Sequence, residues 1–456
     1  MKGVILLANY DVLVIGAGPG GYVAAEEAAR LGKTVAVIEK KAIGGACLNV
    51  GCIPSKTYLQ HSQWLLTFDQ ARQYGIEIQV QQLDFAKLHA HKDQVVASLQ
   101  NGIRTTFKQA KIDYFAGEAQ YFKGTTFLVD GERITGKDVI LATGSHPFVP
   151  QINGIDQVNY LTTDEFFDLA TLPKRFVVIG GGVIAIELAF AMRPLGVEVT
   201  VIEVAPEILL TEDPVAREII RQKLKDLGVQ IFEGAQIANV KPEQVELVGE
   251  SPQRFDQLLV ATGRKPNTDL AKAIGLELTD RGFVAVDQYY ESSKAHFYAI
   301  GDLLPTYMLA HVASAEGIKA VRAICRQAED PVDADAIPRS LYTSPEVASF
   351  GMNEEAARAA GFDVVTGQLP FAYNGRAIAT AKTDGFIRLI SEKQYHLILG
   401  ALIVGDHATD LLQELILLKN AEGTLDQIVD SVYAHPTISE LIQDVAKQVI
   451  AKGARS

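Results

Sequence analysis

Two of the three cysteines in this 456-residue chain lie close together, Cys47 and Cys52 in the segment IGGACLNVGCIPSK (residues 43–56). A zinc site would need two more ligands at a familiar spacing, and the sequence offers only Cys325 and scattered histidines, so we expect no metal. Two alternatives stay open: a buried pair that packs as small hydrophobic side chains, and a disulfide that accepts two electrons. A chain of this length needs no disulfide to stabilise its core, which favours a chemical role.

A dithiol that exchanges with a disulfide needs a base, because the thiolate rather than the thiol is the nucleophile. The segment VYAHPTISE (residues 432–440) supplies His435, followed five residues later by Glu440. A carboxylate bonded to one imidazole nitrogen would fix the tautomer and leave the other nitrogen as a general base. A histidine before a proline also occurs in loops without a catalytic role, so this pair gains its weight from context.

The segment DVLVIGAGPGGYVAAEEAARLGKTVAVIEK (residues 11–40) predicts a buried strand, a glycine turn, an alanine-rich helix and a second strand. Gly16, Gly18 and Gly21 have the G-x-G-x-x-G spacing, in which the first glycine allows a tight turn, the second lets a pyrophosphate approach the backbone, and the third lets helix and strand pack closely. Glu39, at the end of the second strand, is placed to accept hydrogen bonds from a ribose. We therefore predict a dinucleotide site; a glycine-rich turn without a ligand is the alternative.

The same pattern returns 164 residues later in RFVVIGGGVIAIELAFAMRPLGVEVTVIEVAP (residues 175–206), with Gly180, Gly182, Ala185 and Glu203 at the corresponding positions. Agreement of the turn glycines and the terminal carboxylate at one constant offset is difficult to attribute to composition. The sequence therefore predicts two dinucleotide-binding units of matching internal geometry.

The second unit also indicates its coenzyme. An adenosine 2′-phosphate favours an arginine near the end of the second strand, whereas a free 2′-hydroxyl favours a carboxylate. Glu203 is followed by residues 204–210 without a basic side chain, which favours NAD over NADP. A nicotinamide carries a hydride, a disulfide takes two electrons, and a flavin exchanges electrons with both. We therefore interpret the first unit as an FAD site and the second as an NAD site, with the cysteine pair completing a relay.

Composition limits the other classes of function. The net charge of −13 argues against a nucleic-acid or anionic-membrane surface. The apolar start is interrupted at residues 9–11, and we expect neither a signal peptide nor a transmembrane helix. Three cysteines do not make a disulfide framework and fit a reducing compartment, so we expect a cytoplasmic protein.

Further elements are predicted outside the two units. Residues 83–107 have apolar side chains at helical spacing, and Lys123-Gly124 and Asp130-Gly131 predict hairpin turns. The segment HFYAIGD (residues 296–302) predicts a strand that ends at Asp302, where α/β sheets bind ligands. From residue 338, strands followed by helices predict an α+β segment. The overall expectation is an α/β fold with two Rossmann-like dinucleotide-binding domains and a C-terminal α+β domain.

These residues together resemble the flavoprotein disulfide reductases, and within that family most closely the members that reoxidise dihydrolipoamide for 2-oxo acid dehydrogenase complexes. The resemblance extends over essentially the whole chain. The most specific motif is GGACLNVGCIPSK; the others, in family order, are GAGPGGYVAA, ATGS, GGGVIAIELA, ATGRKPN, AIGD, MLAH, YTSPEVASFG, NGRA and AHPTISE.

The resemblance implies a role for each matching residue. Cys47 would exchange with the substrate sulfur and Cys52 would face the flavin, while Lys56 and Glu187 would pair near the reactive flavin nitrogen. His435 and Glu440 would act as base and orienting carboxylate. FAD would be bound by Gly16, Gly18, Gly21, Glu39, Lys56, Gly117, Thr143, Gly144, Ser145, Asp302, Met308, Leu309, Ala310 and His311. NAD would be bound by Gly180, Gly182, Glu187, Glu203, Ile237 and Gly263.

The resemblance also implies the domain organisation and the partners. The first part of the FAD-binding domain would span residues 1–148, the NAD-binding domain 149–270, a second FAD-binding or central segment 271–336, and the interface domain 337–456. The protein would be a homodimer with the base contributed across the interface. No lipoyl domain is expected in the chain, so the lipoyl group would arrive on a separate acyltransferase subunit.

Three positions depart from the family pattern: Ala46 stands where threonine is usual, Tyr433 where a histidine is common, and Ala185 occurs in relatives that use NADPH. The closest alternative is a glutathione reductase, which would carry a lysine at the position of Ser55 and arginines after the second-unit strand. A mercuric reductase would carry a cysteine pair near the carboxyl terminus, and none follows Cys325. A nucleotide-binding redox sensor with little turnover is the alternative from a different class.

Overall fold

The computed structural model describes residues 7–327 and 330–455. The described strands are β1 (Leu7–Ile15), β2 (Val35–Glu39), β3 (Asp113–Ala116), β4 (Gln120–Lys123), β5 (Thr126–Val129), β6 (Glu132–Leu141), β7 (Ser145–Pro147), β8 (Arg175–Ile179), β9 (Glu198–Ile202), β10 (Gln230–Phe232), β11 (Ile237–Lys241), β12 (Gln244–Leu247), β13 (Gln253–Arg254), β14 (Gln257–Val260), β15 (Arg264–Pro266), β16 (Phe297–Ala299), β17 (Arg339–Leu341), β18 (Glu346–Gly351), β19 (Val364–Pro370), β20 (Phe386–Glu392) and β21 (Ile398–Gly405).

The described α-helices are α1 (Pro19–Arg30), α2 (Gly45–Val50), α3 (Cys52–Gln73), α4 (Phe85–Ala110), α5 (Thr163–Phe166), α6 (Val183–Met192), α7 (Pro214–Asp226), α8 (Asp269–Ile274), α9 (Ala310–Ile324), α10 (Glu354–Ala359), α11 (Gly375–Ala379), α12 (Ala408–Asn420), α13 (Leu425–Asp430) and α14 (Glu440–Gly453). Within residues 7–327 and 330–455, no helix is both long and apolar enough to cross a membrane. The start of the apolar segment that we expect not to be a signal peptide falls on residues 1–6, outside the described residues.

The chain forms two compact units, each built from several segments. Unit 1 comprises the chain through Gly180 together with residues 195–197 and 236–332, and unit 2 comprises residues 181–194, 198–235 and 333 onwards. The domain boundaries expected at residues 148, 270 and 336 remain predictions.

The centre of unit 1 is a seven-stranded sheet in the order β3-β2-β1-β6-β5-β4, with β16 also paired to β6. The strands β3, β2, β1, β6 and β16 are parallel to one another, whereas β5 is antiparallel to β6 and β4 is antiparallel to β5. The buried residues of β1 and β2 form a continuous apolar run, as expected for parallel strands covered on both faces. Ala24, Ala25 and Ala28 of α1 are fully buried and belong to the same core.

Helix α9 packs against α1 through two glycines in unit 1. A Cβ atom at Gly317 would contact the carbonyl oxygen of Gly20 at 2.7 Å, and a Cβ at Gly20 would contact that of Ala313 at 3.0 Å. Because neither glycine has a side chain, the two backbones approach closely, and the start of α9 lies beside the glycine turn that precedes α1.

Unit 2 contains a five-stranded antiparallel sheet in the order β17-β18-β21-β20-β19. Its central strand β21 is buried along its whole length. Helices α12, α13 and α14 cover this sheet with a shared apolar core. The predicted α+β character of this segment is therefore confirmed.

Both predicted strand-helix-strand repeats are present. The order β1-α1-β2 returns along the chain as β8-α6-β9, and the ends of β1 and β8, Ile15 and Ile179, keep the 164-residue offset. In unit 1, β8 pairs in parallel with β14, and in unit 2, β9 pairs in parallel with β10. The predicted α/β fold class is confirmed.

Candidate active site

The glycine turns leave room for a ligand at one position each. Gly18 and Gly182 have φ values of −71° and −76°, which any residue adopts. A Cβ at Gly18 would meet only Gly45 Cα, at 3.9 Å, and a Cβ at Gly182 would have no atom of the described residues within 4 Å. Since neither backbone strain nor internal crowding requires glycine here, the open space fits a pyrophosphate close to the backbone.

The first glycine of each turn is required by the protein itself. Gly16 and Gly180 have φ values of +107° and +115°. A Cβ at Gly16 would collide with the carbonyl oxygen of Ala142, and one at Gly180 with that of Ala261. These two positions therefore build the turn, whereas Gly18 and Gly182 leave space beside it.

The helices that follow the turns have open amino termini. Helix α1 has twelve residues and α6 has ten, and neither has a side-chain cap or an acidic residue in its first turn. Their first N–H groups lack intrahelical partners, and the helix dipole favours negative charge at this end. Both termini therefore fit the phosphates of a dinucleotide.

The carboxylates at the ends of β2 and β9 are held by the same pair of bonds. Glu39 accepts from the backbone N–H of Ala17 at 2.7 Å and of Lys41 at 2.8 Å. Glu203 accepts from the N–H of Gly181 at 2.5 Å and of Ala205 at 2.6 Å. The donors keep the 164-residue offset, so the internal repeat extends to individual hydrogen bonds.

Each carboxylate retains lone pairs after these two bonds, because a carboxylate has about four acceptor sites. Glu39 and Glu203 can therefore still accept from ribose hydroxyls. Gly117 lies next to the first of these groups, since its N–H donates to the carbonyl oxygen of Glu39 at 2.9 Å. The structure thus brings Gly117, one of the predicted FAD-binding residues, next to Glu39.

The cysteine segment packs directly on the first glycine turn. Cys47 lies in α2 and Cys52 begins α3, and the two form a disulfide with their Cα atoms 4.7 Å apart. Gly45 lies so close to Gly18 that a Cβ at Gly45 would collide with Gly18 Cα. The predicted proximity of the cysteines to the first nucleotide site is therefore present, and Lys56 follows Cys52 by one turn of α3.

Asn49, between the two cysteines, is a positioning residue that the sequence analysis missed. Its side-chain amide donates to the carbonyl oxygens of Ile43 at 3.1 Å and Gly45 at 2.8 Å, and its oxygen accepts from Gln100 of α4 at 2.5 Å. The amide therefore ties the segment between the cysteines to residues 43–45 before it and to α4. The only signal in the sequence was an asparagine between the two cysteines, because its partner Gln100 is distant along the chain.

The two ATG segments of unit 1 interlock. Strands β7 and β15, which follow them, pair antiparallel. Asn267 donates to the carbonyl oxygen of Thr143 at 2.8 Å, and Thr143 donates through its hydroxyl to the carbonyl oxygen of Asn267 at 2.8 Å. Arg264 donates to the hydroxyl of Ser145 at 2.7 Å. Arg264 and Asn267 belong to the ATGRKPN motif, although the sequence analysis assigned them no role.

Asp302 belongs to the same network; the strand predicted to end there stops at Ala299, and Asp302 lies in the short 3₁₀ turn that follows. The Ser145 hydroxyl donates to Asp302 at 2.5 Å. The next peptide N–H upstream, that of Gly301, donates to Glu316 of α9 at 2.6 Å, and the Thr306 hydroxyl donates to the same carboxylate at 3.0 Å. Burial raises the pKa of Glu316 to about 7. Glu316 was not predicted, and it links the Asp302 turn to the helix that carries the MLAH motif.

The MLAH motif stands at the beginning of α9. Ala310 and His311 are the first two helical residues, and Met308 and Leu309 precede them. Gly144 has a positive φ of +66° just before β7. The structure therefore places the predicted FAD-binding residues of unit 1 at or just after the carboxyl ends of β1, β2, β3, β6 and β16, in α1 and α3, and at the start of α9.

The predicted base and its carboxylate form a pair in unit 2. His435 Nδ1 lies 2.9 Å from Glu440 Oε1, and the Thr437 N–H donates to Glu440 Oε2 at 2.8 Å. The Thr437 N–H, together with His435, lowers the pKa of Glu440. An ionised carboxylate only accepts, so His435 Nδ1 carries the hydrogen and Nε2 is the basic nitrogen. The histidine side chain is 80% exposed in the single chain.

Asn374 supports this loop. Its side-chain oxygen accepts from the Ala377 N–H at 3.0 Å, which caps α11, and its amide donates to the carbonyl oxygen of Thr437 at 2.9 Å. Asn374 is buried. One side chain therefore joins the NGRA motif to the His435 loop, a contact that the spacing along the chain does not reveal.

Glu187 is a buried carboxylate of α6 that accepts from the Tyr342 N–H at 3.0 Å within unit 2. Lys56 belongs to unit 1, so its pairing with Glu187 remains a prediction. Ile237 begins β11, and Gly263, with φ +119°, follows β14. Their contribution to an NAD site is also a prediction, as is the approach of His435 to the disulfide.

Among the described residues, the structure has no group of three or more histidine, cysteine or acidic side chains that could hold a metal ion. The two cysteines that a zinc site would require are joined to each other. Of the alternatives for this pair, the geometry fits the redox disulfide.

Comparisons with known proteins agree with this arrangement. The family model for pyridine nucleotide-disulphide oxidoreductases matches residues 10–317, and the model for the dimerisation domain of that family matches residues 337–446. A dihydrolipoyl dehydrogenase of Bacillus subtilis is 36% identical over 467 residues, with 97% of this chain and 98% of the relative covered. A dihydrolipoyl dehydrogenase of Geobacillus stearothermophilus is 38% identical over 451 residues, with 96% and 95% covered.

Solved structures show the same architecture. The HOCl-induced flavoprotein disulfide reductase RclA of Escherichia coli has a TM-score of 0.86 at 27% identity, covering 96% of this chain and 100% of that one. LpdA of Mycobacterium tuberculosis has a TM-score of 0.89 at 24% identity, covering 97% and 99%, and shows the fold alone. The chain therefore belongs to the pyridine nucleotide-disulphide oxidoreductase family and is an oxidoreductase that uses FAD and NAD.

Proposed function

We propose that this protein oxidises protein-bound dihydrolipoamide to lipoamide and reduces NAD, as a dihydrolipoyl dehydrogenase. The observation that carries the proposal is the Cys47–Cys52 disulfide, in a segment that packs through Gly45 against the glycine turn of the first nucleotide site. Relatives named dihydrolipoyl dehydrogenase, 36% and 38% identical over nearly the whole chain, support the choice of substrate.

The proposed chemistry is a thiol–disulfide exchange. A substrate thiolate attacks the Cys47 sulfur and Cys52 leaves as a thiolate, so that a mixed disulfide forms. His435 Nε2 takes the proton of the second substrate thiol, which attacks the substrate sulfur of the mixed disulfide and releases Cys47 as a thiolate. The substrate dithiol is oxidised by two electrons, and the cystine is reduced by the same two.

The remaining residues hold the cofactors. Gly18 and Glu39 would hold FAD, and Gly182 and Glu203 would hold NAD. Bound FAD supplies the two-electron chemistry that connects a dithiol with a nicotinamide. Glu440 keeps the basic nitrogen of His435 free by accepting from the other one. Lys56 and Glu187 would pair near the flavin.

The active unit in this proposal is a homodimer. A dimerisation domain matches residues 337–446, and this segment carries His435 on its exposed loop. We assign FAD binding to residues 1–148 and 271–336, NAD binding to 149–270, and the interface to 337–456. The lipoyl group would arrive on the acyltransferase subunit of a 2-oxo acid dehydrogenase complex, in the cytoplasm, a reducing compartment that three cysteines fit.

A direct comparison of substrates tests this function. The purified FAD-containing protein should reduce NAD with dihydrolipoamide far faster than it reduces NADP with glutathione. A glutathione reductase would reverse the order, and Ser55 and residues 204–210 argue against one. Slow turnover with both substrates would instead favour a redox sensor and contradict the proposal.

A further inference from the structure

Two arginines of α7 are enclosed by glutamates in unit 2. Arg221 donates to Glu207 at 2.7 Å and to both oxygens of Glu233 at 3.0 Å, and it also pairs with Glu218. Arg217 Nε lies 3.2 Å from the same oxygen of Glu207 that binds Arg221, without forming a hydrogen bond. We call these five side chains the arginine cage.

The arginine cage adjoins the segment that begins at Glu203, the predicted ribose carboxylate of the second nucleotide site. The Ala235 N–H donates to the carbonyl oxygen of Glu203 at 2.9 Å, and the Gly234 N–H donates to that of Ala205 at 2.8 Å. The carboxylate of Glu233 accepts from the Ile208 N–H at 2.8 Å. Residues 233–235 are therefore bonded along the segment that begins at Glu203, and Glu207, a member of the cage, lies within that segment.

This position changes the argument for the coenzyme. Residues 204–210 contain no basic side chain, yet the fold brings two arginines of α7 to the same segment. An arginine near the end of the second strand is what accommodates the 2′-phosphate of NADP. The absence of basic residues from positions 204–210 is therefore insufficient to exclude NADP. A protein that prefers NAD needs a further feature that keeps the two guanidinium groups of α7 from binding a 2′-phosphate.

We infer that Glu207 and Glu233 are specificity determinants that exclude NADP by binding the arginines that would otherwise receive its 2′-phosphate. This inference rests on the NAD site of the proposed function, and it concerns residues outside the glycine turn and Glu203. The two carboxylates pair with both arginines, and they also repel the negative charge of an approaching 2′-phosphate. Both effects raise the free energy of the complex with NADP.

Glu207 is the decisive member of the cage. Its carboxylate is shared between both arginines and is 42% exposed, whereas Arg217 is only 7% exposed. A buried guanidinium cannot lose its charge and strongly favours an anionic partner. Replacement of Glu207 by glutamine would leave Arg217 without that partner, and a 2′-phosphate at the adjoining ribose would supply a new one.

The test measures binding of the adenosine half of each coenzyme to the FAD-containing protein by calorimetry. The probes are AMP and adenosine 2′,5′-bisphosphate, and the variants are Glu207→Gln and the milder Glu218→Gln, whose side chain is 63% exposed. We expect Glu207→Gln to improve binding of the bisphosphate relative to AMP by about tenfold, the effect of one charge-assisted hydrogen bond, and Glu218→Gln by less.

Asp226→Asn is the matched control. It removes one negative charge from α7, the helix that carries both arginines, at an exposed position that accepts only from Gln222 among the side chains described. It should leave the ratio of the two affinities unchanged. Adding Arg217→Met to Glu207→Gln should abolish the gain. Equal ratios in wild type and both cage variants, or an equal gain in the Asp226→Asn control, would overturn the inference. The assay contains no dithiol, so its outcome is independent of the proposed lipoamide activity.

Discussion

The carboxylates Glu39 and Glu203 are oriented before any ligand arrives. Each accepts two backbone N–H groups, one from the glycine turn and one from the residue two positions further along the chain. Immobilising a glutamate costs up to about 2 kcal/mol of side-chain entropy, and here this cost is met during folding rather than on binding. A ribose that binds as predicted would therefore meet acceptors that are already held in position.

Replacement of Cys47 tests the disulfide at the scale of one residue. Cys47→Ser should lower dihydrolipoamide-dependent NAD reduction by about three orders of magnitude or more, because serine cannot form the mixed disulfide. The bound flavin, measured by its absorbance, should remain near one per chain because Gly18 and Glu39 are unchanged. Turnover is followed by NADH absorbance.

Cys325→Ser is the control for this prediction. Cys325 is the third cysteine, and it forms no disulfide. Its replacement should leave turnover within about twofold of wild type, since it affects packing alone. Normal turnover in Cys47→Ser, or an equal loss in the control, would remove the cystine from the proposed reaction.

Glu316 gives a prediction for pH. Burial raises the pKa of its carboxyl to about 7, against an ordinary value of 4.5 in the unfolded chain. Between these values the folded protein holds a proton that the unfolded chain has released, so the free energy of unfolding falls as the pH rises. The contribution is present below pH 4.5 and is lost as the pH passes through 7. Glu316→Gln should therefore show a smaller decrease in melting temperature between pH 5 and 8 than wild type.

The control for this measurement is Glu354→Gln. Arg358 lowers the pKa of Glu354, so this group is already ionised in both states above pH 5. The control should keep the wild-type pH dependence over that range. Parallel melting curves for wild type and Glu316→Gln would mean that the buried carboxyl does not titrate there.

At the scale of secondary-structure elements, the sequence predicted a helix or a turn correctly where a local pattern determines it. The helix expected over residues 83–107 spans 85–110, and its start is fixed by Asp84, whose side chain accepts from the Lys87 N–H at 3.3 Å. The hairpin turns expected at residues 123–124 and 130–131 separate β4, β5 and β6. Periodicity and turn chemistry act within a few residues, so the sequence contains them directly.

Contacts between elements were predicted less completely. The role of Asn374 depends on Thr437, 63 residues away, and that of Glu316 depends on the turn at Gly301. Such partners become neighbours only when the sheet and its helices are assembled. The motifs identified the NGRA and AIGD segments as candidate functional segments. The hydrogen bonds that position these segments could be seen only in the structure.

Asn374→Ala tests how α11 supports the His435 loop. The variant loses a helix cap, which costs about 1 kcal/mol, and also the bond to Thr437 that fixes the loop. We expect turnover to fall by about tenfold, the effect of one lost hydrogen bond at a positioned base, with the pH profile of turnover broadened or shifted. The measurement is the pH dependence of dihydrolipoamide oxidation.

Asn353→Ala separates stability from positioning. Asn353 caps α10 in the same unit by accepting from the Ala356 N–H at 2.8 Å. Its replacement should lower the melting temperature by a similar amount and leave turnover and its pH profile unchanged. If the two variants behave alike, Asn374 contributes only stability.

At the scale of the whole molecule, the 164-residue repeat was the most informative feature of the sequence. It predicted two nucleotide units, and it extends to the hydrogen bonds of Glu39 and Glu203. The repeat does not predict the arginine cage, because α7 and residues 233–235 contact the segment that begins at Glu203 only after folding. Repetition reveals what two sites share, and tertiary contacts determine how they differ.

The proposed reaction also needs residues that lie far apart along the chain and belong to different compact units, the Cys47–Cys52 disulfide and His435. A histidine that is 80% exposed in the single chain is a poor site for controlled proton transfer, because water competes for its nitrogen. Enclosure by a second subunit would remove this competition. In a two-fold symmetric dimer, each site would then combine the disulfide of one chain with the base of the other.

A heterodimer of two inactive chains tests this arrangement. We would coexpress Cys47→Ser and His435→Gln chains with different affinity tags and purify the mixed dimer. If sites are shared between subunits, one site carries both substitutions and the other carries neither, so turnover per dimer should be about half of wild type. If each chain builds its own site, both sites carry one substitution and the mixed dimer stays as inactive as its parents. The two homodimeric variants, purified in the same way, provide the baseline, and equal flavin content in all samples ensures that only the catalytic groups differ.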